Sequence, residues 1–551
     1  MMPKRKRVRT DPATLGIRWR RLVAFTDEAT ATLLRCAFSR NVTDGWDFSC
    51  ALFDCQGRMI VQPTHGLPAF LGCLALTLAD VVRSIPRHTL RDGESYILND
   101  PWRGTGQVND LTLVTPLFSG RRLMGFAANV SHAADLGGRI LSGDSRETFE
   151  EGLRLPLMRA FIGGRPNPDL FELLRLNSRV PDIVLGDLQA QLAANLMLRR
   201  RVLEFLRGER LPDLDGLASE VLHVSEMAMC RAIRDIPDGV YRAEVETDGF
   251  DRPIRLVARV TVAGERIAVD YTGTSPQDPR GINSCFNYTY AETVFPLICV
   301  ARPASLINGG TLRPLRVFAP PGTVLNPQPP AALGSRVMVS QFLQAVVFRA
   351  LAQALPDRVI ADCGTPAWLP VLAGTSQHGT RFVEMMFLNG GFGARPDRDG
   401  ISCLGWPCSF SGTPVEFTES EKPILIHRKE LVPDSGGAGT FRGGLGQAFV
   451  WQSRATSPLS FAVRGDRIIH PPMGLEGGLA GAPARVLRNG VPVHSKETIQ
   501  VDPGDVLHLE TPGSGGFEDP RRRARSRVEA DVADGYVTDA AARELYGWGR
   551  T

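Results

Sequence analysis

Apolar residues recur at helical spacing over residues 11–38, where Leu22, Val23, Leu33 and Leu34 carry the repeat and Asp11-Pro12 supplies a start signal. Phe48–Phe53 and residues 58–61 alternate around the turn residues Asp54 to Gly57, which predicts a hairpin. Residues 68–82 read as an apolar helix and Ser95–Leu98 as a short strand. Residues 111–118 and 123–130 are apolar runs of strand length joined by Ser119-Gly120. Residues 185–206 and 217–233 predict two more helices, with Arg199, Arg200 and Arg201 on a solvated face. The pattern changes at Pro237-Asp238-Gly239. From there to about residue 317 it reads strand, turn, strand, with Asp248-Gly249 and Ala263-Gly264 as hairpin turns. A proline-rich stretch, residues 319–330, closes that unit. Residues 337–355 then predict a helix and 382–387 a strand, and from Asn389 to Gly516 the chain is glycine-rich and β-like. Residues 519–546 form a terminal helical region with a cap at Thr538-Asp539. The expectation is an α+β, multi-domain protein with large mixed or antiparallel sheets and flanking helices, divided at 1–238, 239–330, 331–518 and 519–551.

The polar positions concentrate in one stretch, NDPWRGTGQVNDLTLVTPLFSGRRLMGFAANVSHAADLGG, residues 99–138. One loop holds Asn99, Asp100, Gln107, Asn109 and Asp110; the other holds Ser131, His132, Asp135 and Gly137-Gly138. A hairpin folds its outer ends together, so Asp110 and His132 are expected side by side at one sheet edge. Carboxylate, amide and imidazole beside glycine-rich backbone suit either a metal site or an acid/base site. The same residues also suit ordinary loops, since Asn-Asp-Pro is a common turn and Asp135 can cap one.

Composition narrows the class. The 551 residues, 43% hydrophobic and 22% charged, are those of an ordinary globular protein with room for several cores. A net charge of +4 offers no global field for nucleic acid or membrane. The basic start, Lys4 to Arg7 with Arg9, reads as a solvated terminus, and no apolar segment follows it as in a secretory signal. The ten cysteines are scattered without a CxxC pair, the usage of buried thiols in a reducing compartment, so a cytoplasmic location is expected. No GxxxxGK[ST] loop is present. Asp434-Ser435-Gly436-Gly437 and Gly143-Asp144-Ser145 lack the flanking pattern of a nucleophile and read as turns. Residues 437–446, with Arg442, also read as turn-making glycines.

Ordered blocks covering nearly the whole chain carry a resemblance. They are SRNVTDGWDFSCALFD at 39–54, residues 62–72, residues 99–110, residues 132–138, EEGLRLP at 150–156, residues 177–181 and GDLQAQ at 186–191. Residues 270–283, DSGGAGTFRGGLG at 434–446 and TPGSGGFEDP at 511–520 complete them. In these the chain resembles the B subunits of the N-methylhydantoinase/5-oxoprolinase family, which includes acetone carboxylase alpha subunits and caprolactamase B subunits.

The resemblance implies a division of labour. An A-type ATP-binding partner would phosphorylate the substrate, and the B-type chain would then open a cyclic amide such as a hydantoin, lactam or 5-oxoproline. The alternatives are a subunit of an ATP-dependent carboxylase for a ketone of acetone or acetophenone type, and a non-catalytic assembly subunit. ATP would be bound by the partner, and a hetero-oligomer such as a dimer of A–B pairs is implied. The resemblance also implies a divalent metal (zinc, manganese or iron) held at positions occupied here by Asp44, Gln107, Asp110 and His132. Gln107 stands where the family usually has His, and Phe70 where relatives often have a second His after His65. The expectation is therefore open between a metal held by Asp44, Asp110 and His132, a metal-free site using His132 and Asp135 for acid/base work, and a site that has lost its chemistry. His65 is placed either in the same pocket or in the core.

Overall fold

The computed structural model describes residues 10–365, 368–408 and 410–549. The basic run ending at Arg9 lies outside them. The architecture is α+β, with helices packed against four sheets.

The first sheet has seven strands: β1 (Phe48–Phe53), β2 (Met59–Val61), β3 (Ser95–Leu98), β4 (Asp110–Ser119), β5 (Arg122–His132), β6 (Met158–Ile162) and β7 (Arg165–Pro166). Their spatial order is β2-β1-β5-β4-β3-β6-β7, and each neighbouring pair is antiparallel. Helices cover both faces, and the strand period of two sorts residues between them. Phe48, Cys50 and Leu52 join a core with the helices Pro12–Cys36 and Pro181–Gly208. Ala51, Phe53, Val114, Ala128 and Val130 face the helices Pro68–Ser84 and Phe286–Ala301. The first helix starts as its sequence directs: Asp11 accepts from the N–H groups of Ala13 and Thr14, and Pro12 occupies the first turn.

The second sheet comprises β8 (Gly239–Thr247), β9 (Ile254–Ala263), β10 (Arg266–Asp270) and β11 (Leu315–Phe318), in the order β11-β10-β9-β8. Between β10 and β11 the sequence predicted more strand, and the structure has the helix Phe286–Ala301 instead. Its sequence, FNYTYAETVFPLICVA, is rich in β-branched and aromatic residues and contains Pro296, so local preference points away from a helix. Burial outweighs it: Tyr288, Ala291, Val294, Leu297 and Val300 are all packed in the interior.

The region predicted as one helix over 337–355 divides into Val337–Ser340 and Phe342–Ala352. Strands β12 (Val371–Thr375), β13 (Arg381–Met385), β14 (Ile424–Leu431), β15 (Gln447–Ser453), β16 (Leu459–Ala462), β17 (Arg485–Arg488), β18 (Val491–Pro492), β19 (Thr498–Val501) and β20 (Val506–Glu510) follow. They make a four-stranded sheet, β13-β12-β16-β19, and a five-stranded one, β14-β15-β20-β17-β18. The terminal helices Arg525–Ala533 and Asp539–Leu545 close the chain, the second capped by the Thr538 hydroxyl, which accepts from the Ala541 N–H. No helix among the described residues is long and apolar enough to cross a membrane.

Candidate functional site

The register of two strand pairs builds the site. In the β4–β5 hairpin Asp110 lies opposite His132, and β1 pairs with β5 so that Phe48 lies opposite Ser131. Asp47, one residue before β1, therefore arrives beside His132, and the His132 N–H donates to the Asp47 carbonyl at 3.0 Å. By strand parity Asp47, Asp110 and His132 share the face that packs on the helix Phe286–Ala301.

His132 Nδ1 is 2.8 Å from Asp110 Oδ1 and 3.8 Å from Asp47 Oδ2. The other Asp110 oxygen accepts from the Thr105 hydroxyl at 2.7 Å and from Arg336 Nη2 at 2.8 Å. Burial alone would raise the Asp110 pKa, but the Arg336 charge and the hydrogen bonds of His132 and Thr105 outweigh it and hold the group below the usual carboxylate range. An ionised carboxylate only accepts, so His132 Nδ1 carries a proton toward Asp110, and Nε2 points away from that pair. Nε2 is buried and has no hydrogen-bond partner among the described residues.

Arg336 lies just before the helix Val337–Ser340 and is 2% exposed. Its guanidinium rests 4.0 Å from the centre of the Tyr288 ring. A Cβ at Gly106 (φ +92°) would stand 2.8 Å from Cys285 Sγ and 3.1 Å from Arg336 Cδ, so the missing side chain there leaves room for the arginine stem. A second arginine, Arg464, is equally buried; it donates from Nε to the Ser335 hydroxyl at 3.2 Å and from Nη1 to the Leu369 carbonyl at 3.1 Å. Burial, with the Arg336 charge adding to it, pushes Arg464 down to about 9. Asp47 is pushed up to about 6 by burial, helped by the Asp110 charge and opposed by His132 and the two arginines.

The other residues singled out in the sequence are arranged differently. Asp44 ends the short helix Arg40–Thr43, partly exposed, and its polar contacts are to Arg40 (3.3 Å) and Thr43 (3.3 Å) rather than to Asp110 or His132. Gln107 is buried, and its amide N–H donates to the Gly334 carbonyl at 2.6 Å. Asp135 is buried and bound by Arg179 through both backbone N–H and guanidinium, each at 2.5 Å, and by the Gly137 N–H at 3.2 Å; its contacts brace the glycine turn. His65 lines a cavity of about 370 Å³ with Trp46, Phe48, Thr64, Gly66, Leu67, Cys408 and Ser411. Two of its lining residues, Leu67 and Cys408, belong to the core on the site face of the first sheet, and the Asp47 carboxylate helps to raise the Cys408 thiol, after burial and Glu292.

Sequence reasoning did not single out Asp47, Thr105, Arg336 and Arg464. Asp47 had a usable signal, since a carboxylate directly before β1 must meet the end of β5 once those strands pair. Arg336 and Arg464 had none, because each reaches the site from a remote segment.

These residues do not form a cradle for a divalent ion. Both Asp110 oxygens are committed, one of them to a guanidinium, and the Gln107 amide is turned to a backbone carbonyl. Among the described residues no group of three or more His, Cys, Asp or Glu is placed to hold a metal.

Comparison with known proteins agrees with this geometry at the level of the fold. The family described as hydantoinase B/oxoprolinase matches residues 11–520. An uncharacterised protein of Methanocaldococcus jannaschii is 32% identical over 94% of this chain and 93% of its own length. The B-type subunit of a putative D-/L-hydantoinase from a Pseudomonas species is 27% identical over 98% and 95%. The crystal structure of the ATP-dependent caprolactamase from Pseudomonas jessenii superposes with a TM-score of 0.90 at 28% identity, covering 98% of this chain and 96% of that one. The chain belongs to the hydantoinase B/oxoprolinase family.

Proposed function

We propose that this chain is the B-type subunit of an ATP-dependent cyclic-amide hydrolase, acting on a ring whose carbonyl oxygen an A-type partner has phosphorylated. The observation that carries the reading is the 2.8 Å Asp110–His132 pair, sealed from solvent inside a chain whose relatives include a caprolactamase and a hydantoinase component. Amide resonance makes a lactam a poor electrophile, and O-phosphorylation supplies both the electrophile and a leaving group. What remains is delivery of water. His132 Nε2, with Asp110 holding the proton on Nδ1 and orienting the ring, takes a proton from a water molecule as it adds to the activated carbon. That proton passes to the ring nitrogen, and the remaining proton of the added water follows it as the carbon–nitrogen bond breaks, leaving a free amine and an acyl phosphate; a second water then displaces inorganic phosphate to give the carboxylate. Arg336 Nη1 and Nε, which have no partner among the described residues, are donors for the charge that develops on oxygen. Substrate would enter by the cavity lined by Trp46, His65 and Cys408.

The test is an assay of the chain with its A-type partner and ATP on a panel of hydantoins, lactams and 5-oxoproline, with ketones and bicarbonate as the competing panel. Ring opening is expected, and His132→Gln should lower kcat by about 10²–10⁴-fold while the thermal unfolding midpoint stays close to that of the wild type. Carboxylation of a ketone, or undiminished ring opening by His132→Gln, would overturn the reading.

A further inference from the structure

We infer that Arg336, not a divalent metal ion, is the resident cation of the Asp110–His132 site. The inference concerns the same site as the proposed activity but rests on the ion pair, the buried charge and the donor set, none of which depends on the reaction, so its test can fail while that reading stands.

Position comes first. The Asp110 oxygen that a metal would draw on faces Arg336 Nη2 at 2.8 Å, and the guanidinium is held there on three sides. Tyr288 lies beneath it at 4.0 Å, Gly106 leaves space for its stem, and Asp110 fixes its end. The cation is built in.

Charge comes second. The buried cluster contains two carboxylates, Asp47 and Asp110, and two guanidinium groups, Arg336 and Arg464. Those four charges balance one another, and two further buried carboxyls that feel the Arg336 charge, Glu151 and Glu292, are each pushed up to about 7 by burial. A divalent ion would add positive charge to a site out of water, the kind of burial that is strongly unfavourable without anionic partners. The nearby thiols Cys73, Cys285 and Cys408 are buried, and burial raises all three above the usual thiol range.

The donor set comes third. Gln107 spends its amide N–H on the Gly334 carbonyl, two residues before Arg336. The residue that the resemblance would make a ligand is thus part of the wall that places the arginine. A neutral amide in that position removes a ligand, and a guanidinium opposite it fills the charge.

The inference is tested by elemental analysis for zinc, manganese and iron on the protein co-purified with its A-type partner, before and after dialysis against zinc or manganese. The comparison protein is a Gln107→His, Arg336→Met double variant in the same complex. The wild type is expected to hold well under one equivalent of any of these metals, and added zinc should leave its thermal midpoint unchanged. The double variant is expected to take up about one equivalent and to gain thermal stability with zinc. About one equivalent in the wild type, lost on Asp110→Asn, would overturn the inference. So would a folded double variant, judged by circular dichroism, that still takes up no metal. If the double variant does not fold, the wild-type stoichiometry decides alone: metal bound through Asp110 overturns the inference, and a wild type that stays empty when offered zinc and manganese upholds it.

Discussion

Two sheets in this chain, one antiparallel throughout and one mixed, with the parallel pair β10–β11 at its edge, handle polar residues in opposite ways. In the sheet β1–β7, every residue of Phe48–Phe53 is buried, as is every residue of Asp110–Ser119 except the last. In the sheet β8–β11, buried and solvent-facing residues alternate along Ile254–Ala263. The difference follows from coverage, since helices pack on both faces of the first sheet and on one face of the second. A charged side chain on the open sheet sits in water at little cost. On the doubly covered sheet the same side chain must find a partner or lose its charge, so Asp47, Asp110 and His132 there mark a constructed site.

The comparison is most exposed at its ion pairs, and the largest effect is expected at Asp110. Its pair with Arg336 is wholly buried, the side chains being 0% and 2% exposed. Asp110→Ala leaves a guanidinium in the interior with no counter-charge and removes the acceptor of the Thr105 hydroxyl. A loss of about 3–5 kcal/mol is expected in denaturant unfolding. Asp110→Asn, which keeps the shape but not the charge, should lose nearly as much. A loss below about 1 kcal/mol for both variants would show that the pair behaves like a surface one.

The legibility of the sequence follows the same division. Many helix and strand positions in the first 238 residues were readable because those elements carry their own period and punctuation: Asp11-Pro12 starts a helix, Ser119-Gly120 turns a hairpin and Pro68 opens another helix. By contrast, β6, β7 and the helix Pro168–Asn177 fall in a stretch that reads as loop, and the helix expected from residue 185 begins at Pro181. The convergence of Asp110 and His132 was readable too, because a hairpin is a local structure whose register follows from its turn. Arg336 was not readable. It meets Asp110 across 226 residues, and no local pattern encodes a contact between segments brought together only by packing. The helix Phe286–Ala301 was missed for a related reason: its β-branched and aromatic residues are there to fill the space between two sheets, so composition reports the packing and not the backbone.

A smaller effect, and one with a pH signature, is expected at Glu292, on the helix that covers the site face of the first sheet. Its carboxyl accepts from Gln344 Nε2 at 2.9 Å and is pushed up to about 7, burial being the main cause. A raised folded-state pKa means that the folded protein holds this proton more tightly than the unfolded chain does. The stabilising contribution is complete below the ordinary glutamate range, near 4.5, and is lost as pH rises through about 7. Glu292→Gln keeps a neutral acceptor for Gln344 at every pH. Relative to the wild type it should gain stability on going from pH 5 to pH 8, by on the order of 3 kcal/mol. Unfolding midpoints of both proteins across that range check this. A difference that is flat with pH, or that shrinks toward pH 8, would contradict the burial argument.

The smallest effect is expected on the open sheet, at the cross-strand pair of Glu244 and Arg255. Their side chains are 59% and 51% exposed, and Arg255 Nε lies 3.0 Å from Glu244 Oε2. In distance alone this contact matches the one at Asp110. Its energy should not, because water solvates both partners before and after truncation, and holding two long side chains in one geometry costs rotamer freedom that offsets most of the Coulomb gain. Glu244→Ala is therefore expected to lose no more than about 0.5 kcal/mol, and what it loses should fade as salt is added, since screening acts freely on exposed charges. Asp110→Ala should be nearly insensitive to the same salt. If the two variants lost similar amounts and screened alike, coverage would not be what separates the sheets, and the case for reading buried charge as a site would fail with it.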